Sequence, residues 1–239
     1  MVINSDLVFC VSNALKNYYL KKIKTDETKF RIFPGAADSN LFYYNTNLRN
    51  RIRLELGLND HEILIVYSGR LEMKWEIPDK ILSFYKHLND RNKKYKLLLL
   101  TPDVELAIEM IDTLKISNLV YVKSVKLDEV NKYLNAADAG LLLREDIIMN
   151  NVASPTKFAE YLMTGLPVII SSAIHDFADD INKTGYGVVV KGLDSMAEDE
   201  FNKFTTSLQF NRQEIESWGS QQLSKETFIK NYVQTLKGI

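Results

Sequence analysis

The chain has 239 residues, 46% hydrophobic and 26% charged, with 30 basic side chains against 31 acidic ones. A formal net charge of −1 gives no general field that would draw in nucleic acid or an anionic membrane, although a local basic pocket or peripheral membrane contact is compatible with it. The one cysteine, Cys10, excludes an intrachain disulfide and fits a reducing, cytoplasmic setting. His61, His87 and His175 lack zinc-like spacing, and no apolar run reads as a leader or a membrane span.

In chain order, strand-like runs begin at Leu7 (LVFCVS), Phe30 (FRIFP), Ile63 (ILIVYSG), Lys96 (KLLLLT), Leu119 (LVYVK), Ala139 (AGLLLR), Pro167 (PVIIS) and Gly187 (GVVV). Near-continuous hydrophobicity suits strands covered on both faces, as in a parallel sheet. Helical patterns fall between them. Ile77, Ile81, Phe84, Tyr85 and Leu88 form an apolar stripe at helical spacing, with Pro78 tolerated in the first turn. Leu127, Val130 and Leu134 repeat the pattern, with Asp128 and Glu129 favourable near the helix start. Such alternation predicts an α/β fold, a doubly wound parallel sheet of the Rossmann-like kind. From Ser195 the pattern is helical only, in MAEDEFNKF, RQEIESW and SKETFIKNYVQTL. The organisation expected is a single domain over 1–239, with its core at about 28–192 and carboxyl-terminal helices at about 195–237.

Open parallel sheets bind ligands outside the carboxyl ends of their strands, and two polar stretches fall there. In YSGRLEMK, Gly69 permits a tight turn, and the cations Arg70 and Lys74 follow before a helix. Spacing alone equally fits surface cations on a loop. The second stretch, ASPTKFAEYLMTGLPVII, reads as a helix with Ser154 as N-cap, Pro155 in the next position and Gly165 as the stop. Phe158, Tyr161, Leu162 and Gly165 share the face toward the sheet. Lys157 lies in the first turn, where a cation is unfavourable by roughly 0.3–1 kcal/mol. Lys157 and Glu160 are surface neighbours at this spacing, so a weak exposed ion pair would account for both. The alternative is an anion site made of helix-start amides, Lys157 and a capping hydroxyl, with Glu160 beside a sugar hydroxyl. Two such features at one sheet edge favour a phosphorylated ligand. No Ser–His–Asp or Cys–His arrangement is apparent, and no Asp-x-Asp follows a strand, so no metal or other cofactor is expected. Glu145–Asp146 reads as loop polarity and His175 as a solvated loop or helix start.

The second stretch also resembles the donor-site helix and following strand of retaining glycosyltransferases of family 4, which have the GT-B fold. FRIFPGAADSNLF is similar to the family's I-P-N-G-V-D-x-x-x-F loop, and YSGRLEMK to its G-R-L-x-x-x-K. LDEVNKYLNAADAGLLLRED resembles the helix and strand ahead of the donor site. The resemblance implies transfer of a sugar from a UDP- or GDP-sugar donor to an acceptor glycan or lipid-linked sugar, in surface polysaccharide or glycoconjugate synthesis. It implies that Arg70, Lys74 and Lys157 stabilise the leaving diphosphate. It further implies that Ser154, Pro155 and Thr156 receive a phosphate, that Glu160 holds the ribose, and that Lys123, Ser124 and Val125 lie near the base. The family's second glutamate, eight residues before Glu160, is Val152 here; Glu145, Asp146 or Asn150 would contact the sugar instead. GT-B enzymes have two halves, and nearly every match lies in the donor-binding one. The acceptor-binding half is therefore expected outside this chain, elsewhere in a longer protein or on a separate partner chain.

Overall fold

The computed structural model describes residues 2–73 and 75–237; Lys74, one of the candidate site residues, lies outside them. The strands are β1 (Val8–Cys10), β2 (Phe30–Ile32), β3 (Ile63–Ser68), β4 (Tyr95–Leu100), β5 (Val120–Lys123), β6 (Ala139–Leu142), β7 (Val168–Ser171) and β8 (Gly187–Val190). The helices are α1 (Asn13–Lys22), α2 (Thr46–Glu55), α3 (Pro78–Arg91), α4 (Val104–Thr113), α5 (Leu127–Ala136), α6 (Ile148–Asn151), α7 (Thr156–Met163), α8 (His175–Thr184), α9 (Glu198–Ser207), α10 (Arg212–Leu223) and α11 (Lys225–Lys237).

β3 to β8 form one parallel sheet in the order β5-β4-β3-β6-β7-β8. Side chains alternate between its two faces, and both faces are covered. Leu64, Val66, Leu98, Leu142 and Ile170 pack against Phe158, Leu162 and Phe177 on one side. Ile65, Tyr67, Leu97, Leu141 and Ile169 pack against Ile81, Phe84, Leu88 and Phe204 on the other. Burial of each large apolar side chain stabilises the fold by about 1.5–3 kcal/mol. The expected doubly wound α/β class is thus the observed one.

The runs at Leu7 and Phe30 depart from the expectation of strands covered on both faces. Among the described residues β1 and β2 pair only with each other, and both are partly buried. The carboxyl-terminal helices return to this part of the chain: Ala37 bridges Ser224, its amide bonding Leu223 O at 3.1 Å and its carbonyl accepting from Lys225 N at 2.9 Å.

The order of the large sheet reverses direction between β3 and β6, and in open parallel sheets such a reversal marks the crevice at the strands' carboxyl ends where ligands bind. Tyr161 of α7 sets the geometry there. Its ring lies against Gly140 of β6, and its hydroxyl accepts the Ser68 amide at 3.0 Å at the end of β3. A Cβ at Gly140 would overlap that fully buried ring. Gly140→Ala is therefore expected to destabilise the fold by about 1–3 kcal/mol through overpacking. The check is urea unfolding, where the midpoint should fall with an unchanged slope.

Candidate functional site at the switch point

Beyond Ser68 the chain turns at Gly69, whose φ of 142° is open to glycine and strained for other residues. The missing side chain also makes room: a Cβ there would lie 2.6 Å from Lys157 Nζ. Arg70 follows. Its side chain is 61% exposed and approaches the carboxylate of Asp103 loosely, at 3.6 Å. Asp103 also accepts the Leu71 amide at 2.6 Å, which holds the turn against the end of β4.

Lys157 reaches the same place from α7. Its ammonium donates to Tyr67 Oη at 3.2 Å, and Tyr67 Oη donates to Arg70 O at 2.8 Å. Two hydrogen bonds therefore link the Lys157 ammonium to the Arg70 backbone. The ammonium also lies 4.3 Å from the Tyr67 ring centroid, a cation–π distance.

The partner of Lys157 is not Glu160, as helical spacing suggested. It is Glu76, 81 positions away, with Nζ 2.7 Å from Oε1. The same carboxylate takes both Nη atoms of Arg144, one at 2.7 Å. Side-chain exposure is 3% for Glu76, 4% for Arg144 and 14% for Lys157. Together they leave one net positive charge at the bottom of the crevice. Burial raises the Glu76 carboxyl, but hydrogen bonds from Arg144 and the charges of Lys157 and Arg144 outweigh it, and the group titrates below the ordinary 4.5. Lys157 is pulled down to about 8, because burial outweighs the attraction of Glu76. The two shifts are consistent: the carboxylate has two cations and the ammonium has one carboxylate. Neither Glu76 nor Arg144 was singled out in the sequence. A glutamate beside Ile77 and an arginine ending an apolar strand were the available signal, since buried charges require partners.

The remaining candidates are placed as follows. Ser154 does not cap α7; its Oγ accepts the Gly35 amide at 2.7 Å, and Pro155, extended at φ −63° and ψ 126°, precedes a helix start with no side-chain cap. Thr156 is the first helical residue. The amides at that start are thus not covered by a capping side chain, as an anion site requires. Glu160 is half-buried, and burial raises its carboxyl, countered by Lys157, Thr156 and Lys225. Lys123 ends β5, with Ser124 and Val125 after it, two strands and about 10 Å across from β3. Val125 packs partly into the core. Asn150 is buried and turns onto its own loop, donating to Glu145 O at 2.9 Å. Asp146 accepts from Asn151 at 2.8 Å, and Glu145 is exposed. His175 opens α8, with Nε2 3.3 Å from Asn151 Nδ2.

The chain matches no family model and no curated protein. Solved structures do resemble it. A glycosyltransferase from Rickettsia africae superposes with a TM-score of 0.76 at 15% identity, over 100% of this chain and 64% of that one. Sucrose-phosphate synthase from Thermosynechococcus elongatus gives 0.72 at 16%, over 99% and 59%. Anabaena HepE, solved with UDP and glucose, gives 0.71 at 16%, over 98% and 64%. At such identities the likeness establishes the fold alone, an α/β domain shared with part of each of these proteins, and this chain spans about three fifths of their length.

Removing Arg144 would leave Glu76 short of its bidentate partner. Arg144→Met is expected to lower stability toward the lower end of about 3–5 kcal/mol, since Lys157 still faces the carboxylate. Because the Glu76 pKa is lower in the folded state, its contribution is present above pH 4.5 and is lost as pH falls through the folded value. Urea unfolding at pH 7 and at pH 4 should therefore show a smaller gap between the variant and the parent chain at the lower pH.

Proposed function

We propose that this chain is the donor-binding half of a retaining glycosyltransferase of the family 4 type, holding a nucleoside diphosphate sugar at the β3–β6 crevice. The observation that carries the reading is the enclosed Lys157 ammonium at the end of β3, two hydrogen bonds from the Arg70 backbone and in the first turn of the uncapped α7. The fold is shared with a protein solved with UDP and with UDP-glucose, which supports a nucleotide-sugar donor.

In the proposed reaction the bond between the sugar's anomeric carbon and the diphosphate oxygen breaks. A bond to an acceptor hydroxyl oxygen forms on the same face, and the acceptor's proton passes to the departing phosphate. Negative charge grows on the diphosphate as the sugar becomes oxocarbenium-like. Arg70, Lys157 and, by the resemblance, Lys74 would meet that charge, so the proposal needs no metal. Charge-assisted hydrogen bonds contribute about 1.5–3 kcal/mol each, of an enzymatic effect of about 8–23 kcal/mol. They raise the rate only to the extent that they strengthen in the transition state. Glu160 would take the ribose, Lys123–Val125 would lie near the base, and Glu145 or Asp146, both exposed, would meet the sugar. The reading places the reaction in the cytoplasm, in polysaccharide or glycoconjugate synthesis.

A second reading, a nucleotide-sugar-binding subunit that depends on an acceptor-domain chain, is favoured by one surface. Phe9, Phe33, Phe228 and Tyr232 cluster around β1, β2 and α11, with ring centroids 4.9 Å apart for Phe9–Tyr232 and 5.2 Å for Phe33–Phe228. Phe9, Val11, Tyr232, Val233 and Leu236 are exposed there. Assaying sugar transfer by this chain with and without an acceptor-domain protein separates the two readings.

Calorimetric titration with UDP, GDP and ADP tests the site itself. Millimolar or better binding is expected for at least one, and binding to none would end the reading. Because the Arg70 side chain is largely exposed, Arg70→Ala should weaken binding roughly tenfold or more while leaving the melting temperature unchanged.

A further inference from the structure

We propose that Glu76 is a positioning residue of the anion site: it holds the Lys157 ammonium charged and fixed beside Gly69, and stays in place when a diphosphate binds. This rests on the reading of the crevice as a nucleoside diphosphate site.

A carboxylate beside two cations in an anion site can be read as a competitor of the ligand, and the geometry argues against that. Glu76 is gripped bidentately by Arg144, and both side chains are almost fully buried. Swinging Glu76 out would strand Arg144 as an unpaired interior cation, which is among the costliest arrangements a protein can adopt. Glu76 also belongs to the segment between β3 and α3 that carries Arg70. Its bonds to Arg144, just past β6, and to Lys157, on α7, pin that segment across the crevice. An ammonium has three donors, and Glu76 and Tyr67 take two of them. Among the described residues no other acceptor takes the third, which leaves it for a ligand.

Among the described residues, the groups facing Lys157 are Tyr67 from β3, Glu76 from the connecting segment, Arg144 from the end of β6 and Glu160 from its own helix. Burial and Arg144 push the ammonium toward neutrality, while Glu76 leads the opposition and Glu160 assists. Removing the Glu76 charge leaves the first two nearly unopposed, so Lys157 should lose its proton at lower pH.

Two measurements on Glu76→Gln and Glu76→Asp test this. In the first, lysine ammonium groups are labelled with nitrogen-15 and titrated by NMR without nucleotide, Lys157 being the resonance absent from Lys157→Met. The Gln variant should titrate about one unit or more below the parent. The Asp variant, which keeps a charge for Arg144 but draws back from Lys157, should fall between, and it decides the matter if the Gln variant does not fold. In the second, UDP affinity is followed from pH 6.5 to 9. The pH at which affinity declines should move down with the Lys157 titration, leaving Glu76→Gln about fivefold weaker at pH 8. An unmoved Lys157 titration, or tighter UDP binding by Glu76→Gln across the range, would overturn the proposal and mark Glu76 as a competitor. If the parent chain binds none of the three nucleotides, the donor-site reading falls with the ligand half of this proposal. The NMR titration still decides whether Glu76 keeps Lys157 charged.

Discussion

One tyrosine locks the parts of the crevice together. Tyr161 lays its ring on the bare backbone of Gly140 in β6 and offers its hydroxyl to the last amide of β3. These are the two strands between which the sheet changes direction. By touching both, the side chain fixes where α7 lies over the switch point, and hence where Lys157, one turn earlier, delivers its charge. The amide it satisfies is buried and would otherwise lack a partner at the end of the ladder. Burial drives the phenol strongly away from ionisation, so the hydroxyl stays neutral at any ordinary pH.

The sheet was legible because its strands are covered on both faces. KLLLLT, AGLLLR and PVIIS have no polar side to show, and such runs have few destinations other than a two-sided parallel sheet. β1 and β2 read alike by composition, yet they stand apart; nothing local distinguishes a strand of the main sheet from one paired elsewhere. In the site, the residues that announce themselves by position, Arg70 after a strand and Lys157 at a helix start, are joined through the Tyr67 hydroxyl and the Arg70 carbonyl. Their partners were not legible. Helical spacing assigns Lys157 to Glu160, while folding brings Glu76 from 81 positions away. Local propensity makes Ser154 a cap, whereas its hydroxyl serves Gly35, 119 positions distant. Each error replaces a long-range hydrogen bond with the nearest short-range one, which a linear reading always favours.

The two cations at the β3 end have different characters. Arg70 is solvent-exposed, loosely paired with Asp103 and free to adapt. Lys157 is enclosed, with an aromatic ring, a phenol and a carboxylate around it. Charge held in a low-dielectric setting acts more strongly on a nearby anion than the same charge in water. Reorganisation is also small when the charge is already oriented. The two cations thus differ in exposure and in how firmly neighbouring groups hold them.

The sheet order has a kinetic corollary. β3, β4 and β5 can assemble from near neighbours along the chain, and so can β6, β7 and β8. The join between the two groups is a long-range closure: the Leu64 amide meets the Asp138 carboxylate across 74 positions, and Val66 pairs with Gly140. Long-range parallel pairing is slow because the loop entropy is lost before contacts repay it. The crevice lies on that seam, so it takes shape only when the two three-stranded groups have met. Any molecule that binds there preferentially stabilises the closed seam and slows its reopening.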